Sequence, residues 1–161
     1  MLNSIELAEK LGEALKSRKL LLTVAESCTG GGVSHAITEI AGCSDWFDCG
    51  FITYSNASKT ELLNIADSLL AQHGAVSEEI AAAMAEGALA NCQAQVALST
   101  TGIAGPSGAV PGKPVGTICF GWVVGGVTTT ERKIFTGDRH AIREQTIAYA
   151  LDRLLRLVDE I

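Results

Sequence analysis

An apolar run empties into three consecutive glycines: Leu20-Leu21-Leu22-Thr23-Val24 leads through Ala25-Glu26-Ser27-Cys28-Thr29 to Gly30-Gly31-Gly32. The run has the length of a buried strand, and Val33, Ile37 and Ile40 beyond the glycines keep helical spacing, so residues 27–32 read as a strand-to-helix turn. Turns of this kind are where α/β proteins place chemistry. Glycines let backbone N–H groups approach a ligand, and a helix start adds partial positive charge that suits a phosphate or a developing oxyanion. The plainer alternative is a capped turn with Ser27 or Thr29 as the N-cap.

The rest of the chain extends this α/β pattern over residues 1–161, read as one domain. Asn3-Ser4-Ile5-Glu6 has the form of a capping box, and Ile5, Ala8, Leu11 and Leu15 predict an amphipathic helix ending near Lys19. Residues 46–54 read as a second strand, with Asn56 as the cap of a helix that carries Lys59. Gly74 ends a short helical piece, and Ser77-Glu78-Glu79 opens an alanine-rich helix to about Asn91. Residues 95–100 form a third strand that empties into Thr101-Gly102-Ile103-Ala104-Gly105-Pro106. Gly125-Gly126 between residues 115–124 and 127–136 signals a hairpin, and Asp138 caps a last helix with apolar Ile142, Tyr149, Leu151, Leu154, Leu155 and Val158. The expected fold is a three-layer α/β/α sandwich with a mixed, mostly parallel sheet and a C-terminal β-hairpin.

Composition excludes several function classes. A net charge of −6 and the lack of any Lys/Arg cluster argue against a nucleic-acid surface. Five cysteines form no Cys-x-x-Cys pair and three histidines show no ligand spacing, so neither a disulfide framework nor a structural metal is expected, and a cytoplasmic setting follows. No apolar run approaches a membrane span or a secretory leader.

In a doubly wound sheet the three loops at residues 27–32, 54–59 and 101–106 converge at the carboxyl edge, where ligands bind. They bring a hydroxyl (Ser27), a phenol (Tyr54) and an amine (Lys59). Serine is a poor nucleophile until a base takes its proton, and no motif loop holds a histidine, so Lys59 or a Tyr54–Lys59 pair is the available base. Cys28 competes with Ser27 as nucleophile, and Glu26 is either a second base or a polar strand end. Arg139 in Gly137-Asp138-Arg139 is a phosphate-binding candidate, the alternative being a capped helix with an exposed arginine.

Six motifs in order, Ala25-Glu26-Ser27-Cys28-Thr29-Gly30-Gly31, Tyr54-Ser55-Asn56-x-x-Lys59, His73-Gly74-Ala75-Val76-Ser77, Thr101-Gly102-Ile103-Ala104-Gly105-Pro106, Lys113-Pro114-Val115-Gly116-Thr117 and Gly137-Asp138-Arg139, resemble the CinA C-terminal domain family. The resemblance covers nearly the whole chain and corresponds to the family's stand-alone form. It implies nicotinamide mononucleotide amidohydrolase activity in pyridine nucleotide recycling, no metal or cofactor, and assembly as a homodimer or higher homo-oligomer. It also implies that Ser27 is the nucleophile and that Tyr54 and Lys59 assist proton transfer. Substrate binding then falls to Glu26, Cys28, Thr29, Gly30 and Gly31 in the first loop and to Asn56 in the second. Thr101, Gly102, Ile103, Ala104 and Gly105 serve in the third, with Lys113, Arg139 and Arg143 as the cations. The competing reading is a non-catalytic nucleotide-binding or regulatory module related to competence or DNA damage. A dinucleotide-dependent oxidoreductase fits poorly, because the turn lacks Gly-x-Gly-x-x-Gly.

Overall fold

The computed structural model describes residues 2–161. The first helix, α1 (Ser4–Ser17), opens on the expected capping box: Glu6 N donates to Asn3 Oδ1 at 2.9 Å and Asn3 N to Glu6 Oε2 at 2.8 Å. Then follow β1 (Leu22–Glu26), α2 (Gly32–Thr38), a 3₁₀ turn (Cys43–Asp45) and β2 (Phe47–Ile52). Helices α3 (Asn56–Leu63), α4 (Asp67–His73) and α5 (Glu78–Ala90) lead to β3 (Val96–Gly102). Strands β4 (Thr117–Val124) and β5 (Val127–Ile134) precede the long α6 (Arg139–Asp159).

The sheet order is β2-β1-β3-β4-β5. β1 runs parallel to both β2 and β3, whereas β4 is antiparallel to β3 and to β5, so parallel and antiparallel pairings are equal in number. The hairpin turn Gly125-Gly126 has φ of 58° and 75°, the signs a type I′ turn needs at both positions.

Alternation along the strands sorts the two faces. Leu22, Val24, Val96, Leu98, Ile118, Phe120 and Trp122 point to one side and build the larger core with α1, α2 and α6. Ala25, Ala97, Ser99 and Gly121 line the other, where α3, α4 and α5 pack. Small residues there let α5 approach closely: Ser99 Oγ donates to Ala81 O at 2.6 Å, and a Cβ on Gly121 would meet that same carbonyl. The layering is the α/β/α sandwich expected, and no helix among the described residues is long and apolar enough to cross a membrane.

Several boundaries differ from the sequence reading. β1 starts at Leu22 rather than Leu20. Trp46 closes the 3₁₀ turn instead of opening β2, and its buried ring packs against Gly12 of α1. β3 runs on through Thr101 and Gly102, because those residues pair with Cys119 and Ile118 of β4. The α3 cap is Ser55, whose Oγ accepts from Ser58 N, and Asn56 is the first helical residue.

The strand order reverses direction around β1: the chain leaves it for β2 on one side and returns to β3 on the other. Such a switch point is where open α/β sheets bind ligands, beyond the carboxyl ends of the strands. The loop that leaves β1 there begins at Ser27.

Candidate active site

Ser27 follows β1 directly, and its N–H donates to Thr100 O of β3 at 3.0 Å, so the turn is pinned between two strands. Gly30 and Gly31 take φ of 56° and 100°, a region open to glycine at no steric cost. Gly31 is the N-cap of α2 and supplies no side chain.

Glu26 takes over that capping. Its carboxylate, fully buried, accepts from Val33 N at 2.9 Å, Ser34 N at 3.0 Å, Ser34 Oγ at 2.8 Å and Thr29 Oγ1 at 2.6 Å. This corrects three expectations. Neither Ser27 nor Thr29 caps α2, the start of α2 is occupied by a protein carboxylate, and the Glu26 and Thr29 side chains face the protein interior instead of a substrate. Thr29 Oγ1 is also bonded to Thr100 Oγ1 at 2.8 Å. Glu26→Gln leaves buried donors with too few acceptors. Hydrogen bonds to charged groups contribute about 1.5–3 kcal/mol, so the unfolding temperature should fall by roughly 3–12 °C for a chain of this size, as calorimetry can check.

Lys59 enters from the first turn of α3 and is 1% exposed. Its Nζ donates to Thr53 O at 2.8 Å, Tyr54 O at 3.1 Å and Ser27 Oγ at 3.0 Å. Burial lowers its pKa from the ordinary lysine value, against a smaller opposing influence of Cys28. Glu26, the residue before Ser27, is engaged by α2 and makes no salt bridge to Lys59. Cys28 is 6% exposed and burial pushes its thiol up to about 12, so it stays protonated and inert.

Tyr54 is placed differently from the sequence reading. Its backbone carbonyl touches Lys59, while its phenol is exposed and accepts from Arg139 Nη2 at 3.3 Å. Arg139 Nη1 donates to Gly105 O at 2.8 Å, so this exposed arginine bridges the loops after β2 and β3 at the rim of the site. Arg143 lies deeper, donating from Nε to Cys28 O and from Nη2 to Thr29 O, both at 3.1 Å. It clamps the nucleophile turn from behind, which its sequence position alone did not reveal.

The third loop is less open than expected. Thr101 is buried with Oγ1 on Ala75 O at 2.8 Å, Gly102 belongs to the β3–β4 ladder, and the Ile103 N–H donates to Thr117 O at 2.9 Å. That leaves the N–H groups of Ala104 and Gly105, which make no hydrogen bond among the described residues. Lys113 Nζ donates to His73 O at 3.1 Å, and Asn56 is exposed on α3. A groove of about 520 Å³ between α1 and α6, lined by Leu2, Phe135 and Tyr149 among others, contains none of these residues.

A profile of the CinA C-terminal domain matches residues 4–158. The chain is 49% identical over 154 residues to a nicotinamide-nucleotide amidohydrolase PncC of Pseudomonas putida, covering 96% of each chain. It is 50% identical to the protein of that name from Escherichia coli strain K12, over 93% of this chain and 92% of the relative. A solved structure of a competence-damaged protein (CinA) superfamily member from Klebsiella pneumoniae superposes with a TM-score of 0.96 at 36% identity, over 99% of this chain and 100% of the other. Sequence, fold and relatives agree: the chain belongs to the CinA C-terminal domain family.

Proposed function

We propose that this chain is a nicotinamide-nucleotide amidohydrolase that converts the carboxamide of nicotinamide mononucleotide to the carboxylate and ammonia by way of an acyl-enzyme on Ser27. The reaction is supported by the names of relatives about half identical over nearly their full lengths. One observation carries the serine mechanism: the buried Lys59 Nζ lies 3.0 Å from Ser27 Oγ, and its other two contacts are backbone carbonyls.

A neutral amine has two N–H donors and one lone pair. Thr53 O and Tyr54 O take the two N–H groups, which turns the lone pair toward Ser27 Oγ. Desolvation favours that neutral state, so Lys59 is oriented as a general base by the two carbonyls and made available by burial. Ser27 Oγ gives its proton to Lys59 and attacks the amide carbon. The oxyanion that forms meets the N–H groups of Cys28 and Thr29, which make no hydrogen bond among the described residues, whereas the Gly30 N–H is taken up by Ser27 O at 3.1 Å. Donors of this type lower the barrier by about 2.7–4 kcal/mol each.

Lys59, now an ammonium, returns the proton to the departing nitrogen, so ammonia leaves and an ester remains on Ser27. Water then attacks that ester as Lys59 accepts its proton, Lys59 passes that proton to Ser27 Oγ as the ester C–O bond breaks, and the nicotinate product leaves with Ser27 and the neutral amine restored. Arg143 holds the Cys28 carbonyl, which shares a peptide plane with the Thr29 N–H, and so fixes the direction of that donor. At the rim, Arg139 and the Ala104 and Gly105 amides take the nucleotide phosphate, a reading supported by Arg139's contacts to Gly105 O and the Tyr54 phenol. Truncating Arg139 to alanine should raise KM by about 10–100-fold, the size of a lost hydrogen bond to a charged group, with kcat nearly unchanged. Steady-state kinetics decides this, and a loss confined to kcat would contradict it.

The deciding experiment is incubation of purified chain with nicotinamide mononucleotide. Ammonia and nicotinate mononucleotide appear in equal amounts if the reading holds. Thermal stabilisation by the nucleotide without ammonia would instead favour a binding module.

A further inference from the structure

Asp48, Cys49 and Cys92 each offer one ligand atom, and the three atoms lie within 4.8 Å of one another, toward the end of the sheet remote from Ser27. Neighbours on a strand ordinarily point to opposite faces. Here the β1–β2 register slips: Leu22 and Thr23 face Phe47 and Cys49, leaving Asp48 as the extra, bulged residue. A bulge re-aims the side chain it carries, and this one lets consecutive residues of the edge strand send ligand atoms to one spot.

The group is held in place by its surroundings. The Gln93 N–H donates to Asp48 Oδ2 at 2.8 Å, the Ala94 N–H donates to Cys92 Sγ at 3.4 Å, and Cys49 Sγ lies 3.6 Å from Thr23 Oγ1. Such contacts resemble the outer contacts that orient metal ligands. The turn that carries Cys92 is fixed in its own right, since the Gln95 side chain accepts from Leu21 N and donates to Gln93 O. Asp48 is exposed and both cysteines are half-buried, so solvent reaches the group.

From this juxtaposition we infer that Asp48, Cys49 and Cys92 bind a thiophilic divalent cation of the zinc class, with a fourth position open to water. Two thiolates and a carboxylate suit tetrahedral zinc, whereas magnesium and calcium take sets of oxygen ligands. Metal–sulfur bonds of about 2.3 Å place tetrahedral sulfurs about 3.8 Å apart, within what side-chain rotation reaches here. Binding forms two metal–sulfur bonds and one metal–oxygen bond, and the two thiol protons pass to solvent with no change of oxidation state. The ion clamps β2 to the turn that leaves α5.

The test uses the full chain, reduced and stripped with a chelator that is then removed, titrated with Co²⁺ and separately with Zn²⁺. The expected result is the visible spectrum of tetrahedral cobalt with sulfur-to-cobalt charge transfer, displaced by Zn²⁺, and a rise in unfolding temperature with Zn²⁺. Cys92→Ser and Asp48→Asn should each weaken Co²⁺ binding by at least about tenfold, while Cys43→Ser leaves it unchanged. Asp48→Asn alters only an exposed position and carries the comparison if Cys92→Ser fails to fold. Unchanged affinity in Asp48→Asn, an octahedral cobalt spectrum, or a Cys49–Cys92 disulfide whose reduced form takes up no metal would each overturn the inference.

Discussion

Ser27→Ala should lower kcat for nicotinamide mononucleotide by about 10⁴–10⁶-fold, the loss seen when an activated serine is removed from a hydrolase, while the nucleotide still raises the unfolding temperature. Among the described residues the side chain has one polar partner, Lys59, and that amine keeps the Thr53 and Tyr54 carbonyls when the hydroxyl goes. Folding should therefore survive. Cys28 cannot substitute, because its buried thiol, at about 12, offers almost no thiolate near neutrality. A variant that kept a tenth or more of the wild-type rate would move the attack to water or to Cys28.

Lys59→Met should lower kcat/KM by about 10³–10⁴-fold, near the upper end for loss of a general acid–base. It should also remove the rising limb of the pH–rate profile. In the wild type that limb lies below the ordinary lysine range, since burial lowers the pKa and only the neutral amine accepts the Ser27 proton. Stability should move the opposite way. Between the lowered folded value and the unfolded value near 10.5, the unfolded chain holds more protons, so wild-type stability rises with pH across that window. Below it folding carries the full cost of burying the ammonium. Methionine fills the same space without that cost, so the variant should be more stable at neutral pH and flat across the window. Calorimetry over pH, beside ammonia release, checks both halves, and a less stable variant with an intact pH–rate limb would remove Lys59 from its role.

That one substitution should harm function and help folding explains what the sequence could and could not show. Strand ends and glycine turns are local, so periodicity and punctuation alone put the loops after β1, β2 and β3 at one edge, and Ser27 and Lys59 with them. Long-range partnership was invisible. Nothing local says that Glu26 turns back under α2, or that Arg143 reaches the Cys28 and Thr29 carbonyls from the far end of the chain. Tyr54 differs in contact from the expectation, because β2 ends two residues earlier and its carbonyl, not its phenol, meets Lys59. Thr101 and Gly102 read as loop residues because glycine signals a turn, yet pairing with β4 overrides that local preference. The Asp48, Cys49 and Cys92 group depends on a bulge and on a turn far along the chain, and no spacing rule finds it.

The most direct measurement on the central claim is mass spectrometry of wild-type enzyme acid-quenched while it turns over saturating nicotinamide mononucleotide. The expected result is the nicotinoyl nucleotide as an ester on the peptide that holds Ser27, absent from Ser27→Ala. An adduct located on the Cys28 sulfur, or steady turnover with the Ser27 peptide unmodified at every quench time, would contradict it.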